Sequence, residues 1–116
     1  MDPDSALDRG RTKYEEVYPR KASANPSEFE RIMYEDLFGG VYQRPGLSQR
    51  DRRLMIIGVA AAHGIDSILN LQLSAGVAKG DLTDADLDEI AIFLTQYVGY
   101  PLGTRVRAAV AEARKG

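Results

Sequence analysis

The chain of 116 residues contains no cysteine and no tryptophan, and it has one histidine, His63. Without a thiol the protein cannot perform thiolate chemistry, which excludes thiol peroxidases and disulfide reductases. The absence of cysteine also fits a reducing compartment, so we expect a cytoplasmic protein. A lone histidine without cysteines or paired acidic ligands at metal spacing predicts no metal site, and it leaves no arguable Ser-His-Asp triad.

Long apolar runs are missing as well, since no stretch reaches the roughly 18 apolar residues of a membrane span. The formal charge is only −2, which gives no basic footprint for nucleic acid. No glycine-rich nucleotide or phosphate loop is present, so we predict no cofactor. We therefore expect neither a membrane nor a nucleic acid as a partner.

The apolar residues that are present, 44% of the chain, recur at helical spacing, and no segment shows period-two alternation. The sequence thus predicts one all-α domain over residues 1–116, a compact bundle of about six helices. Capping patterns and glycines bound the helices, with Ser27/Glu30 and Thr83/Asp86 as capping boxes and Asp66 as a further expected cap. The predicted helices run over Ser5–Tyr18, from Ser27 to Gly39, from Ser48 to Gly64, from Asp66 to Gly80, from Thr83 to Gly99, and onward from Pro101.

Two predicted helices are apolar on more than one face, over residues 54–62 and 90–94. A helix that is apolar all round must be buried all round, and a domain of this size can hardly cover both. We therefore expect a subunit interface and a symmetric homo-oligomer.

Two ordered motifs carry a family resemblance: Phe38-Gly39-x-Val41-Tyr42-x-Arg44-Pro45-Gly46-Leu47 and Tyr97-x-Gly99-x-Pro101. Taken in this order, they make the chain resemble the carboxymuconolactone decarboxylase family, whose redox branch consists of alkylhydroperoxidase-D-like proteins. The resemblance implies a helical bundle, a trimer or a hexamer built from two trimers, and a cofactor-independent lyase acting on a small unsaturated acid or lactone.

The chain departs from this family at two places. Ile65, Ile68 and Gln72 stand where the redox branch has a Cys-x-x-Cys and a histidine, and the decarboxylase branch usually keeps that histidine. Gly40-Val41-Tyr42 replaces a usual Glu-x-Trp. These departures motivate an alternative function, a non-catalytic, oligomeric small-molecule-binding protein with the same fold.

Glu89 is the candidate catalytic residue, matched by a family glutamate. It precedes an apolar run, with Phe93 and Gln96 on its helix face. A partly buried carboxyl there could donate a proton near neutral pH. The alternative is one more first-turn acid, favoured by the helix dipole.

The candidate substrate-binding residues are Gln72, Arg44, Tyr42, Gln96 and Tyr97. Gln72 could orient a ligand oxygen, or its amide could hydrogen-bond a neighbouring helix. Arg44 could bind a substrate carboxylate, or it could tie its loop to Glu35 or Asp36.

Further residues have mainly structural interpretations. Tyr42 and Tyr97 are expected in the core, although the Tyr97 hydroxyl could reach a pocket. His63 is expected to cap a helix C-terminus. A basic cluster is interpreted as a solvated face or as inter-subunit ion pairs, and it comprises Arg44, Arg50, Arg52 and Arg53.

Overall fold

The structure, a computed structural model, describes residues 5–116. Contacts between Cα atoms divide the chain into two units, residues 1–48 and residues 49–116. Within residues 5–116 every regular element is helical, which confirms the all-α prediction and its six helices. In the same residues no helix has both the length and the apolar character needed to cross a membrane.

The first unit contains two α-helices, one π-helical segment and one 3₁₀ turn. Helix α1 spans Ala6–Val17, and helix α2 spans Glu28–Ile32 and continues into a π-helical segment, Met33–Phe38. A 3₁₀ turn follows at Val41–Gln43. Helix α1 packs mainly against the π-helical segment, and their facing side chains form an aromatic cluster that comprises Tyr14, Tyr18, Tyr34, Phe38 and Tyr42.

The helix predicted from Ser27 to Gly39 has the expected extent, but its last six residues are wound more widely. The Ser27/Glu30 capping box is present at its start. At its end the Gly39 N–H donates to the Tyr34 carbonyl at 2.7 Å, five residues back instead of four. Gly10 of α1 lies against that same carbonyl, and a Cβ there would overlap it. The close packing of α1 on this segment therefore requires glycine at position 10.

The second unit is formed by four helices: α3 (Gln49–His63), α4 (Asp66–Ala78), α5 (Asp84–Val98) and α6 (Tyr100–Lys115). Helix α6 packs on α5 and α4, and α3 packs on α4. Their inner faces form one apolar core, whose fully buried members include Ile57, Leu69, Leu73, Leu87 and Val106.

The predicted helix ends agree with the structure where glycine sets them. Gly64, Gly80 and Gly99 all adopt positive φ, a region that side chains with a Cβ rarely enter. The capping box at Thr83 is also confirmed. The cap predicted at Asp66 is wrong: Asp66 is the first helical residue of α4 and no side chain caps that end. The capping position falls to the preceding residue, an isoleucine that has no acceptor.

Helices α3 and α5 both leave apolar side chains exposed in the single chain. Met55 and Val59 protrude from α3, and Ile92 and Phe93 protrude from α5. These are the two helices predicted to be apolar on more than one face, and a single chain covers only part of that apolar surface. The predicted homo-oligomer itself stays a prediction.

Candidate functional site

Glu89 lies in the second turn of α5, directly before the apolar run, and its side chain is exposed. The partial burial expected for this carboxyl is therefore not provided by its own chain. Its first-turn neighbours are bound locally, since the Asp86 carboxylate accepts a hydrogen bond from the Thr83 backbone N–H at 2.9 Å. That bond and the nearby Arg50 hold the pKa of Asp86 below its ordinary value.

The face of α5 that carries Glu89 also carries three other large side chains. Phe93 is 61% exposed and Tyr97 is 78% exposed, and their ring centroids lie 5.2 Å apart. Gln96 is exposed between them. The core position expected for Tyr97 is wrong, because this residue lies in the last turn of α5 with its side chain exposed.

Gln72 lies on α4 and is 2% exposed. Its Oε1 accepts a hydrogen bond from Nη1 of Arg53 on α3 at 3.0 Å, which matches the expected bond to a neighbouring helix. The Nε of Arg53 donates to Asp81 Oδ2 at 3.1 Å, and Gln49 Nε2 donates to the same oxygen at 2.9 Å. We call these four residues the Arg53 network.

The Arg53 network corrects the interpretation of the basic cluster. Arg53 is 1% exposed, so it belongs to the interior of the second unit and not to a solvated face. It can lie there because Asp81 neutralises its charge and Gln72 accepts one of its remaining donors. Arg50 is paired within the chain as well, with Asp86 at 3.2 Å.

Arg44 and Tyr42 belong to the first unit. Tyr42 is buried, and its ring stacks on Phe38 with centroids 4.8 Å apart and planes 12° apart, so it is the expected core aromatic. Arg44 follows the 3₁₀ turn and is exposed. His63 is the last residue of α3, the position expected for a favourable interaction with the helix dipole.

A cavity of about 320 Å³ lies between α5 and α6 in the second unit. Small residues leave room for it, because Ala91, Thr95 and Gly103 line its walls. At Gly103 the two helices come so close that a Cβ would overlap the Thr95 side chain. Of the predicted site residues, Gln96 lines this cavity, whereas Glu89 and Gln72 do not.

Two charged residues, Asp88 and Arg107, face this cavity. Asp88 accepts a hydrogen bond from Nη1 of Arg114 at 2.9 Å, and this bond lowers the pKa of the Asp88 carboxyl. The Nε of Arg114 also donates to Asp84 at 2.8 Å. Arg114, which does not line the cavity, thus already neutralises the Asp88 carboxylate. Sequence reasoning missed Arg107, because nothing in a helical pattern distinguishes it from other exposed arginines.

The structure describes residues 5–116. In this part of the chain no three His, Asp or Glu side chains are grouped so that they could hold a metal ion. The polar groups of the α5 face and the cavity are carboxylates, amides, hydroxyls and a guanidinium, which can transfer protons and bind anions.

The comparisons with known proteins bear on this geometry. The model of the carboxymuconolactone decarboxylase family matches residues 28–114. A search of curated proteins gave no significant match. Since the family match covers most of the chain, the protein belongs to the carboxymuconolactone decarboxylase family.

Proposed function

We propose that the protein is a cofactor-independent lyase that acts on a small unsaturated acid or lactone, with Glu89 as its acid/base group. The observation that carries the proposal is the exposed face of α5, where Glu89, Gln96 and Tyr97 stand together in a member of this family. Polar and aromatic groups on one helix face offer a proton, hydrogen bonds and an apolar surface to the same small molecule.

The proposed reaction needs one acid/base group and hydrogen-bond donors for a dienolate oxygen. The bond between the substrate carboxylate and its carbon breaks, carbon dioxide leaves, and the bonding electrons enter the conjugated system as a dienolate. Glu89 then delivers a proton to carbon and is reprotonated by water. Gln96 and the Tyr97 hydroxyl are placed on the same face to donate hydrogen bonds to the dienolate oxygen.

Self-association is part of the proposal, as a trimer or hexamer. The exposed Ile92 and Phe93 beside Glu89 favour a second copy of the chain as the covering surface. Such a contact would take Glu89 out of bulk water. A carboxyl that is shielded from water in this way can serve as a general acid near neutral pH.

The catalytic part is tested with the substitution Glu89→Gln. Carbon dioxide release from γ-carboxymuconolactone and from a panel of small unsaturated acids and lactones is measured for both proteins. Loss of the acid/base group should lower turnover by roughly 10²-fold or more. Glu112→Gln, an equal charge change at an exposed glutamate on α6, is the control and should leave turnover unchanged. Wild-type turnover in a normally folded Glu89→Gln protein would remove Glu89 from the mechanism.

The oligomeric part is tested by light scattering at micromolar concentration. Phe93→Glu should shift the protein toward monomer, because it places a charge in the apolar face of α5. Phe29→Glu changes a phenylalanine that is also exposed, on α2, and serves as the matched control. A wild-type monomer of 12.8 kDa would contradict self-association, and dissociation by Phe29→Glu alone would contradict its location.

A second candidate is a non-catalytic, oligomeric small-molecule-binding protein. The observation that favours it is the hydrogen bond of Gln72, whose amide oxygen accepts from Nη1 of Arg53 at 3.0 Å. An amide cannot exchange protons near neutral pH as the usual histidine does. Saturable binding of an unsaturated acid, without carbon dioxide release from any member of the panel, would favour this candidate over the lyase.

A further inference from the structure

The cavity between α5 and α6 is lined by one cation, the exposed Arg107. Arg107 makes no hydrogen bond or ion pair with any of the residues 5–116. Every other charge on this wall is compensated, because the Asp88 carboxylate is held by Arg114 at 2.9 Å. The electrostatic field inside the cavity therefore comes mainly from one guanidinium, which favours an anion there.

The other polar groups of the cavity divide into donors and acceptors. Thr104 donates its hydroxyl hydrogen to the Tyr100 carbonyl at 2.8 Å, and Thr95 donates to the Ala91 carbonyl at 2.7 Å. Both hydroxyl hydrogens are therefore used within the helices. The donors left for a ligand are the guanidinium of Arg107, the side-chain amide of Gln96 and the hydroxyl of Tyr100. The planar fork of donors on Arg107 matches the two oxygens of a carboxylate.

The size and the remaining walls restrict the ligand further. A volume of about 320 Å³ is at the lower end of small-molecule sites. Ala91, Ile92 and the Tyr100 ring supply apolar surface for a short hydrocarbon body. Among the residues 5–116, no second cation lines the cavity, so a second carboxylate on the ligand would lose hydration without gaining a charged partner.

We propose that Arg107 and the cavity between α5 and α6 form a binding site for a small monocarboxylate with a short apolar body. Arg107 holds the carboxylate through its guanidinium, and Gln96 adds a hydrogen bond. The site does not include Glu89, although it shares Gln96 with the proposed lyase face, and the inference rests on the cavity and not on the lyase reaction.

The experiment is a titration of the ¹⁵N-labelled full chain, followed by amide chemical shifts. The probes are sorbate, a six-carbon unsaturated monocarboxylate, its neutral amide, and trans,trans-muconate as the corresponding dicarboxylate. Sorbate should bind saturably with shifts in α5 and α6, while the neutral amide and muconate should both bind more weakly.

The decisive variant is Arg107→Gln, which should weaken sorbate binding about tenfold or more, the scale for a charged hydrogen bond. The control is Arg105→Gln, an equal charge change two residues away, whose side chain instead reaches Asp66 and the Gly64 carbonyl. That control should keep wild-type affinity. Arg107→Lys keeps the charge but loses the planar pair of N–H donors. Its affinity for sorbate should therefore fall between those of the wild type and Arg107→Gln.

Three results would overturn the proposal: no sorbate binding, equal binding of sorbate and its amide, or equal weakening by Arg105→Gln and Arg107→Gln. Because binding is read without turnover, the two proposals fail separately. Sorbate binding without any carbon dioxide release contradicts the lyase alone, whereas carbon dioxide release that Arg107→Gln leaves intact, with no sorbate shifts, contradicts the monocarboxylate site alone.

Discussion

Replacing Asp81 with asparagine tests whether the Arg53 network stabilises the second unit in the way its geometry implies. The substitution keeps the shape of the side chain and removes its charge. Arg53, 1% exposed, would then lose the carboxylate to which its Nε donates at 3.1 Å. Removing one partner of a buried ion pair costs about 3–5 kcal/mol, because the other charge remains buried and uncompensated.

The lower end of that range applies here. The Asp81 side chain is 15% exposed, so water can reach the guanidinium from that side once the carboxylate is lost. Asparagine can also still accept one hydrogen bond. We therefore expect Asp81→Asn to lower the free energy of unfolding by about 3 kcal/mol, equivalent to a fall in Tm of about 10–20 °C.

Urea denaturation followed by circular dichroism gives the measurement, at one fixed protein concentration because self-association contributes to apparent stability. The matched control is Asp66→Asn, which removes a solvent-exposed partner of Arg105 3.7 Å away and should cost less than about 1 kcal/mol. Adding Arg53→Met to Asp81→Asn should restore much of the lost free energy of unfolding, because no guanidinium without its carboxylate then remains in the interior. Equal costs for Asp81→Asn and Asp66→Asn would refute the reasoning.

Two further predictions concern pH and helix packing. Because hydrogen bonds lower the pKa of Asp86 below 3.8, its contribution to stability is present above that pH and is lost as the pH falls through the lowered value. Asp86→Asn should therefore make the acid-induced loss of stability shallower, as measured by urea midpoints between about pH 5 and about pH 3. Gly103→Ala should destabilise by about 1–3 kcal/mol, since its Cβ would overlap α5. Gly58→Ala, at a helical glycine whose added Cβ meets nothing within 4 Å, should instead stabilise by about 0.5–1 kcal/mol in the same urea assay, and the same sign for both would contradict the packing.

The helix ends were predictable because the groups that fix them are local. A capping box needs two side chains three residues apart, as at Thr83 and Asp86, and a positive φ after a helix needs a glycine, as at Gly64. The π-helical winding of Met33–Phe38 was not predictable, because its apolar spacing is compatible with an ordinary helix. The hydrogen bond that defines it depends on how α1 packs against Tyr34.

The candidate site was predictable only where one helix carries it. Glu89, Phe93 and Gln96 share a face because helical spacing dictates it, so their arrangement follows from the sequence. The partner of Gln72 did not follow, since Arg53 lies 19 residues away and resembles its exposed neighbours in sequence. Arg107 was missed for a related reason: whether an arginine is paired depends on contacts between helices.

The connection between α5 and α6 constrains how the cavity can change in related sequences. Gly99 alone joins the two helices, at φ 89°, so no loop absorbs a change in length. A residue inserted at this junction would shift α6 against α5, and with it Arg107 against Gln96. Selectivity for different acids can therefore change through substitutions on the two facing helices, whereas an insertion or deletion at this junction would displace the two cavity walls relative to each other.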